Sequence, residues 1–415
     1  MKARIALTIP ACLLLWVSCA GAADLAAAKQ SLAIPVSPTN RVAGSIECVV
    51  NVGPVTPVTA AAFSPDGKML ASAGYREVLL WDLAAAKLAR RLPAGGNVGA
   101  LAFFKDGSVL VVGEGSPSVS GAVRLIELAS GKETCRFGEP KDVVRSLAVS
   151  PDGKLLAASA SGRLAYVWDL DQKKLATTIQ GHSDRILHAS FSPNGKFLAT
   201  GGEDNTCQIW NVADWTLATK FVEVYPVYGA AFHPDEVQVL LAVGGPDGSG
   251  LRFRKTDTPT FRRPIAIGPA VPLGMIGPSK AGRAYVPCTD KTVKVIDVRN
   301  GGQLAKLSGH QDWVYAVALS ADETTVAAAG GDGTVRLWSA RDNRPLATLV
   351  QLAPQADRWL IVTAQGHMAT SSAGAVAWKC EKLSTPPDQL TAQLLKPELV
   401  AWTMAGEKVP APTVK

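Results

Sequence analysis

The chain has no C-x-x-C pair, no C-x-x-C-H, no run of Lys or Arg, and only five histidines, at 182, 188, 233, 310 and 367. Each absence closes a class of function. Without paired cysteines there is no redox motif and no covalent haem attachment. The excess of 42 Lys and Arg over 35 Asp and Glu is spread thinly, with no aromatic-interleaved basic stripe. Nucleic-acid binding needs a clustered footprint and is therefore not expected. With no compact set of Asp, Glu and His recurring at one position, no catalytic residue, no metal ligand and no cofactor is assigned. Charge is scarce at 19% while 47% of the 415 residues are hydrophobic, so the chain can bury a large core and is not a disordered polymer.

Lys2 and Arg4 precede an apolar stretch over residues 5–17, broken by Pro10, and Ser18-Cys19-Ala20-Gly21-Ala22 follows with Ala20 and Ala22 in A-x-A register. This pattern predicts a signal peptide over residues 1–22 and a mature, periplasmic or secreted chain beginning at Ala23. The stretch is too short to span a bilayer comfortably. Acylation of Cys19 is the alternative and the one route to a membrane, although Trp16-Val17-Ser18 lacks the leucine such signals usually place three residues ahead. Removing residues 1–22 takes away two bases and no acid, which lowers the net charge from +7 to +5. Five cysteines then remain, Cys48, Cys135, Cys207, Cys288 and Cys380, each in or beside an apolar strand pattern and each in a different repeat. Single buried thiols are expected rather than disulfides.

What is present is a ruler. A large apolar residue recurs at Trp81, Ile126, Trp168, Trp210, Phe253, Ile296, Trp338 and Trp378, with gaps of 40 to 45 residues. That period fits one four-stranded propeller blade per repeat rather than a helical solenoid. Each unit reads as four short apolar segments, the first hairpin closing on a turn such as Ser64-Pro65-Asp66-Gly67, Ser150-Pro151-Asp152-Gly153 or Ser192-Pro193-Asn194-Gly195. Proline presets φ at the first corner, Asp or Asn tolerates the second, and glycine takes the positive φ that closes the hairpin. Weaker copies stand at residues 105–107, 233–235, 277–279 and 321–323.

These residues resemble the WD-repeat family. Trp81-Asp82 and Trp168-Asp169 carry one signature dipeptide of that family, Gly181-His182 and Gly309-His310 the other. The resemblance implies an all-β propeller over residues 46–350 and, within a repeat, a buried hydrogen-bonded set of His, Ser or Thr, Asp and Trp that pins three strands and a loop. His182, Thr200, Asp204 and Trp210 match it in full. His310, Asp332 and Trp338 match with Ala328 in the hydroxyl position, and Asp290 stands alone in the sixth repeat. A buried polar network must satisfy itself, so these residues are assigned to bracing and not to catalysis.

Residues 23–45, with Pro35 and Pro38, read as a flexible leader. Residues 46–52 form an apolar strand expected to latch the ring by supplying an outermost strand. Residues 345–350 already complete the seventh unit, whereas residues 351–382 repeat the three-strand grammar with Trp378 on the ruler. The strand count therefore favours eight blades over the seven familiar in the family; the alternative packs residues 351–415 on the outside. Residues 383–415 read as a helical tail, with Leu390, Leu394 and Leu395 on one face and Gly406 as its stop. The start at Trp359, Leu360, Thr363 and Gly366 and the end at Pro397–Val400 resemble a C-terminal module that follows the repeats in many bacterial WD-repeat proteins.

The expected function is an exported, non-catalytic scaffold that binds a protein partner on the upper face. By the register of the resemblance, the docking positions are Arg145, Arg185, Glu203, Tyr228, Trp313 and Tyr315, among which Arg, Tyr and Trp are the types that dominate interface energetics. For Tyr228 and Tyr315, lining the channel is a nearly equal reading. The alternative is a propeller enzyme, of the quinone-dependent dehydrogenase, lactonase or glycosidase type, with a site at the central channel.

Overall fold

A computed structural model describes residues 30–36, 39–40, 46–52, 56–233, 238–245, 248–255, 264–379 and 387–414. The signal-peptide segment, Cys19, Cys380 and most of the 233–235 turn lie outside the described residues, as does the Trp378 side chain.

The second and third strands of the blades are buried on both faces, Gln238–Val243 and Thr334–Ser339 throughout, and the ruler residues sit there. Trp81, Ile126, Trp168, Trp210, Phe253, Ile296 and Trp338 are all buried, each on the third strand of its unit. Blade 4 shows the pattern: strands Ile186–Phe191, Phe197–Gly202, Thr206–Asn211 and Leu217–Val222 pair antiparallel in chain order. Blade 3 (Val144–Val149 to Lys174–Gln180) and blade 5 (Val227–Phe232 to Ile265–Gly268) are built alike. Blade 6 keeps three full strands, Arg283–Pro287, Val293–Asp297 and Gln303–Leu307, with its inner edge reduced to bridges at Pro272 and Ile276. Blades 1 and 2 share a 17-residue strand, Lys87–Phe103, which pairs with Tyr75–Asp82 through its first half and with Val109–Ser116 through its second.

The hairpin turns close as their residues dictate. Gly67, Gly153 and Gly195 take φ of 70°, 76° and 72°, and Ser64, Ser150 and Ser192 each bond the Asp or Asn two residues on. In the weak copy at residues 320–323 the serine–aspartate pair survives and Glu323 occupies the left-handed corner at φ 56°.

The eight-blade expectation is corrected. Blade 7 (Val314–Leu319, Thr325–Gly330, Thr334–Ser339, Pro345–Gln351) lies directly beside blade 1: its inner strand packs on Ala60–Phe63, the Val58 N–H donates to Gly330 O at 3.1 Å, and Leu70 and Trp81 share one core cluster with Leu337 and Leu349. Buried Glu77 of blade 1 also accepts from Gln351 Nε2 at 2.7 Å. Seven blades, counted among the described residues, thus close on one another with no gap for an eighth. Residues 351–379 do not form a separate blade. Trp359–Thr363 and Met368–Thr370 extend blade 7 to six strands.

Ile46–Val52 is likewise not a blade strand of the ring. It pairs with Val376–Lys379 on one side and Gln30–Val36 on the other, so part of the segment read as a flexible leader is an ordered strand. Ile34, Val36, Cys48 and Val50 bury against Val350, Leu360, Val362, Met368 and the helix residues Leu390 and Leu394. Strands Gln30–Val36 and Ile46–Val52 and helix Pro387–Leu394 therefore meet on the outer side of blade 7. In the tail, helix Pro387–Leu394 buries Leu390 and Leu394 while Leu395 falls beyond its end and is exposed. Helix Pro397–Met404 places Val400 and Met404 in the cluster that spans the blade 7 and blade 1 seam, and Gly406 stops it at φ 88°.

Candidate functional site

In blade 4 the four bracing side chains meet. His182 Nδ1 lies 3.0 Å from Asp204 Oδ1, His182 Nε2 lies 2.8 Å from Thr200 Oγ1, and Trp210 Nε1 donates to that same hydroxyl at 3.0 Å. Asp204 also accepts the Ser183 N–H and the Thr206 hydroxyl. Burial lowers the His182 pKa, outweighing the pull of Asp204. In blade 7, His310 Nδ1 lies 3.1 Å from Asp332, but Ala328 offers no hydroxyl and the buried His310 Nε2 has no partner. Burial pushes Asp332 up, and the bonds from His310, Gln311 and Thr334 outweigh it, leaving the carboxyl at about 2. Asp290 of blade 6 accepts from Thr292 and Lys294 instead.

Two further braces escape a search for histidine. Trp81 Nε1 donates to Ser72 Oγ at 2.9 Å, and Trp168 Nε1 to Glu139 at 3.2 Å. Ser72 holds the ladder position of Thr200, opposite the residue two before the tryptophan, but stands nine residues from it instead of ten because its hairpin loop is shorter. Cys48, Cys207 and Cys288 are free and buried, and burial pushes all three thiols up, Cys48 and Cys288 to about 12, whereas Cys135, expected buried, is free and only half-buried.

The end of the ring where the inner strands begin is the upper face. There the ladder repeats one irregularity. Val144 pairs with Ala160 and Ser146 with Ser159, so Arg145 is an extra residue with no partner across the ladder. The same bulge singles out Gly99, Leu187, Tyr228 and Tyr315 in blades 2, 4, 5 and 7. A bulge bends its strand and re-aims a side chain. Here it does so at the rim of the channel. The loops above are tied alike: the Glu203 N–H donates to Arg185 O at 2.9 Å and the Gly331 N–H to Trp313 O at 2.8 Å.

The six residues expected to dock a partner fall into two groups on this face. Arg185 Nη1 lies 3.5 Å from Glu203, Arg145 feels the charges of both, and burial together with the Glu203 charge raises the Tyr228 phenol. Burial raises Glu203 above the usual carboxylate range despite Arg185. Across the ring, Trp313 and Tyr315 meet edge-on with centroids 6.4 Å apart, and burial pushes the Tyr315 phenol to about 12. At the opposite end of the channel a cavity of ≈ 380 Å³ is lined by Leu147, His188, Phe191, Phe232 and Met275 among others. His188 Nδ1 accepts the Ala230 N–H at 3.4 Å, and burial lowers its pKa to about 4.

A family model described as WD domain, G-beta repeat matches residues 47–82, 131–169, 173–211 and 301–339. The chain is a WD-repeat protein. Its sequence is similar to the Nuclear distribution protein PAC1 of Arthroderma otae, 25% identical over 206 residues that cover 49% of this chain and 37% of that protein. It is also similar to the Guanine nucleotide-binding protein subunit beta of Schizosaccharomyces pombe, 26% identical over 288 residues, 66% of this chain and 90% of that protein. The General transcriptional corepressor TUP1 of Saccharomyces cerevisiae is 44% identical over 43 residues, 10% of this chain and 6% of that protein. The WD-repeat chain thus spans little more than a third of the PAC1 relative. Its first matched repeat begins at residue 47, within the strand Ile46–Val52, which here pairs outside the ring.

Proposed function

We propose that this WD-repeat protein is a non-catalytic interaction scaffold whose upper face, centred on Trp313 and Arg185, docks a protein partner after export. The observation that carries the reading is the placement of Arg145, Arg185, Tyr228, Trp313 and Tyr315 at the starts of inner strands on one face, in residue types that dominate interface energetics. Relatives named as a subunit of a guanine nucleotide-binding protein and as a transcriptional corepressor support work through other proteins. Export rests on residues 1–22, and among the described residues no helix is long and apolar enough to cross a membrane.

Replacing Trp313 and Arg185 together with alanine is expected to abolish capture of the partner in a pull-down from the envelope fraction. The melting temperature stays near wild type, since surface changes usually stay within about 0.5 kcal/mol. Undiminished capture by the folded variant removes this face and moves attention to the helical tail. Intact mass of the envelope protein tests export: a start at Ala23 supports it, whereas retained residues 1–22 or a diacylglyceryl mass on Cys19 replaces the soluble reading with an anchored one.

A further inference from the structure

The five bulged positions share a backbone and differ in chemistry. Gly99, next to Arg145 around the ring, carries no side chain because a Cβ there would stand 2.3 Å from Val144 O. Leu187 on the other side is apolar. Arg145 is thus the one formal charge among these five residues at the rim. It is exposed, and its Nε donates to a neutral partner, Ser161 Oγ, at 2.9 Å. Among the described residues no hydrogen bond or ion pair occupies its two terminal nitrogens. The anions in reach are engaged elsewhere: Asp142 accepts the Val143 N–H at 2.7 Å, and Glu203 lies against Arg185. Around it the charges of Asp142 and Glu203 favour the cation while that of Arg185 opposes it. A guanidinium keeps its charge in such a setting and presents a planar fork that matches a carboxylate.

We infer that Arg145 sets the specificity of the upper face by receiving an Asp or Glu side chain from an extended segment of the partner protein. The inference rests on the upper-face reading and adds the chemistry of what is read. A bidentate, charge-assisted pair between a guanidinium and a carboxylate is stronger than a hydrogen bond between neutral groups and fixes the geometry of what is bound.

The test is selection of a random-peptide display library on the full-length protein, with variants screened for unchanged melting temperature. Wild type should enrich peptides carrying Asp or Glu at one fixed position. Arg145→Met should bind those peptides at least about tenfold more weakly, and Arg145→Glu should shift the selection toward Lys or Arg at that position. Enrichment without an acidic position, or acidic peptides that bind Arg145→Met undiminished, overturns the inference. If such peptides still lose binding to the Trp313→Ala, Arg185→Ala double variant, the upper-face reading stands and only the role of Arg145 falls. Peptides indifferent to all three residues, or no peptides at all, count against both.

Discussion

Blade 7 carries a vacancy that one substitution should fill. Ala328 is fully buried and stands at the ladder position that Thr200 holds in blade 4, each opposite the residue two before its tryptophan. In blade 4 the Thr200 hydroxyl serves both His182 and Trp210; in blade 7 the buried His310 Nε2 is left without a partner. Leaving a buried donor or acceptor unsatisfied costs about 1–3 kcal/mol, and a hydrogen bond between neutral groups nets about 1 kcal/mol. Ala328→Thr should therefore stabilise the protein by about 1–2 kcal/mol. Threonine also suits a strand better than alanine, and its extra methyl has a precedent in fully buried Thr200. Ala328→Val is the control, since it adds the same volume without the hydroxyl and should fall below Ala328→Thr by the hydrogen-bond contribution. Chemical denaturation of the three proteins, and of Ala328→Thr placed in a His310→Phe background, reads the effect. The reasoning fails if valine stabilises as much as threonine, or if the threonine gain survives loss of His310.

The converse change, Trp210→Ala, removes a large buried side chain and orphans Thr200 and should cost about 3–5 kcal/mol by the same denaturation assay. A shift no larger than that of a surface control refutes the assignment. His188 is held neutral, with a native pKa of about 4 against an ordinary 6.5, so the unfolded chain binds a proton that the native one refuses; its contribution is complete above pH 6.5 and is lost as pH falls toward 4. Melting temperature against pH should be flatter over that window in His188→Gln. Deleting residues through 52 should not open the ring, because blade 7 supplies its own fourth strand; it should bare the strand Val376–Lys379 and its core and cause aggregation, which deletion of residues 23–29 alone does not. Light scattering of the two truncations decides this, and equal behaviour refutes the latch at the chain ends.

The propeller was legible in the sequence because its cause is local and repeated. A large apolar ruler residue is buried on the third strand of each blade, a tight turn closes the first hairpin, with Pro and Asp or Asn before Gly in three of them, and both leave the same mark about every 42 residues. The number of blades was not legible, because counting strands cannot say which edge a strand will choose. Residues 359–363 satisfy the grammar of a new blade equally well when they lengthen an old one, and the choice is set by Glu77, Gln351 and the Val58 to Gly330 bond across the seam. The braces at Ser72 and Glu139 were missed for a related reason. A ladder position is fixed by pairing rather than by chain spacing, and any acceptor that reaches the indole will serve.

On the upper face the residue types were readable, and what selects them was not. Nothing in the neighbourhood of Arg145, Leu187 or Tyr228 marks the skipped rung that makes each an extra residue; the bulge exists only once the second strand is in register. Its recurrence explains why the repeat can be strict in one place and loose in another. A ruler side chain that changes must still fill the same space between blades, and so it stays Trp, Phe or Ile. A bulged residue has no partner across the ladder and varies among Gly, Arg, Leu and Tyr, each set by its own surroundings: at Gly99 a Cβ would stand 2.3 Å from Val144 O, and at Tyr315 the ring packs edge-on against Trp313. The scaffold is therefore written in what the repeats share. On the upper-face reading proposed above, partner choice rests on positions outside that shared pattern, so substitutions at Arg145 and Trp313 should separate binding from folding while substitutions at Trp210 cannot.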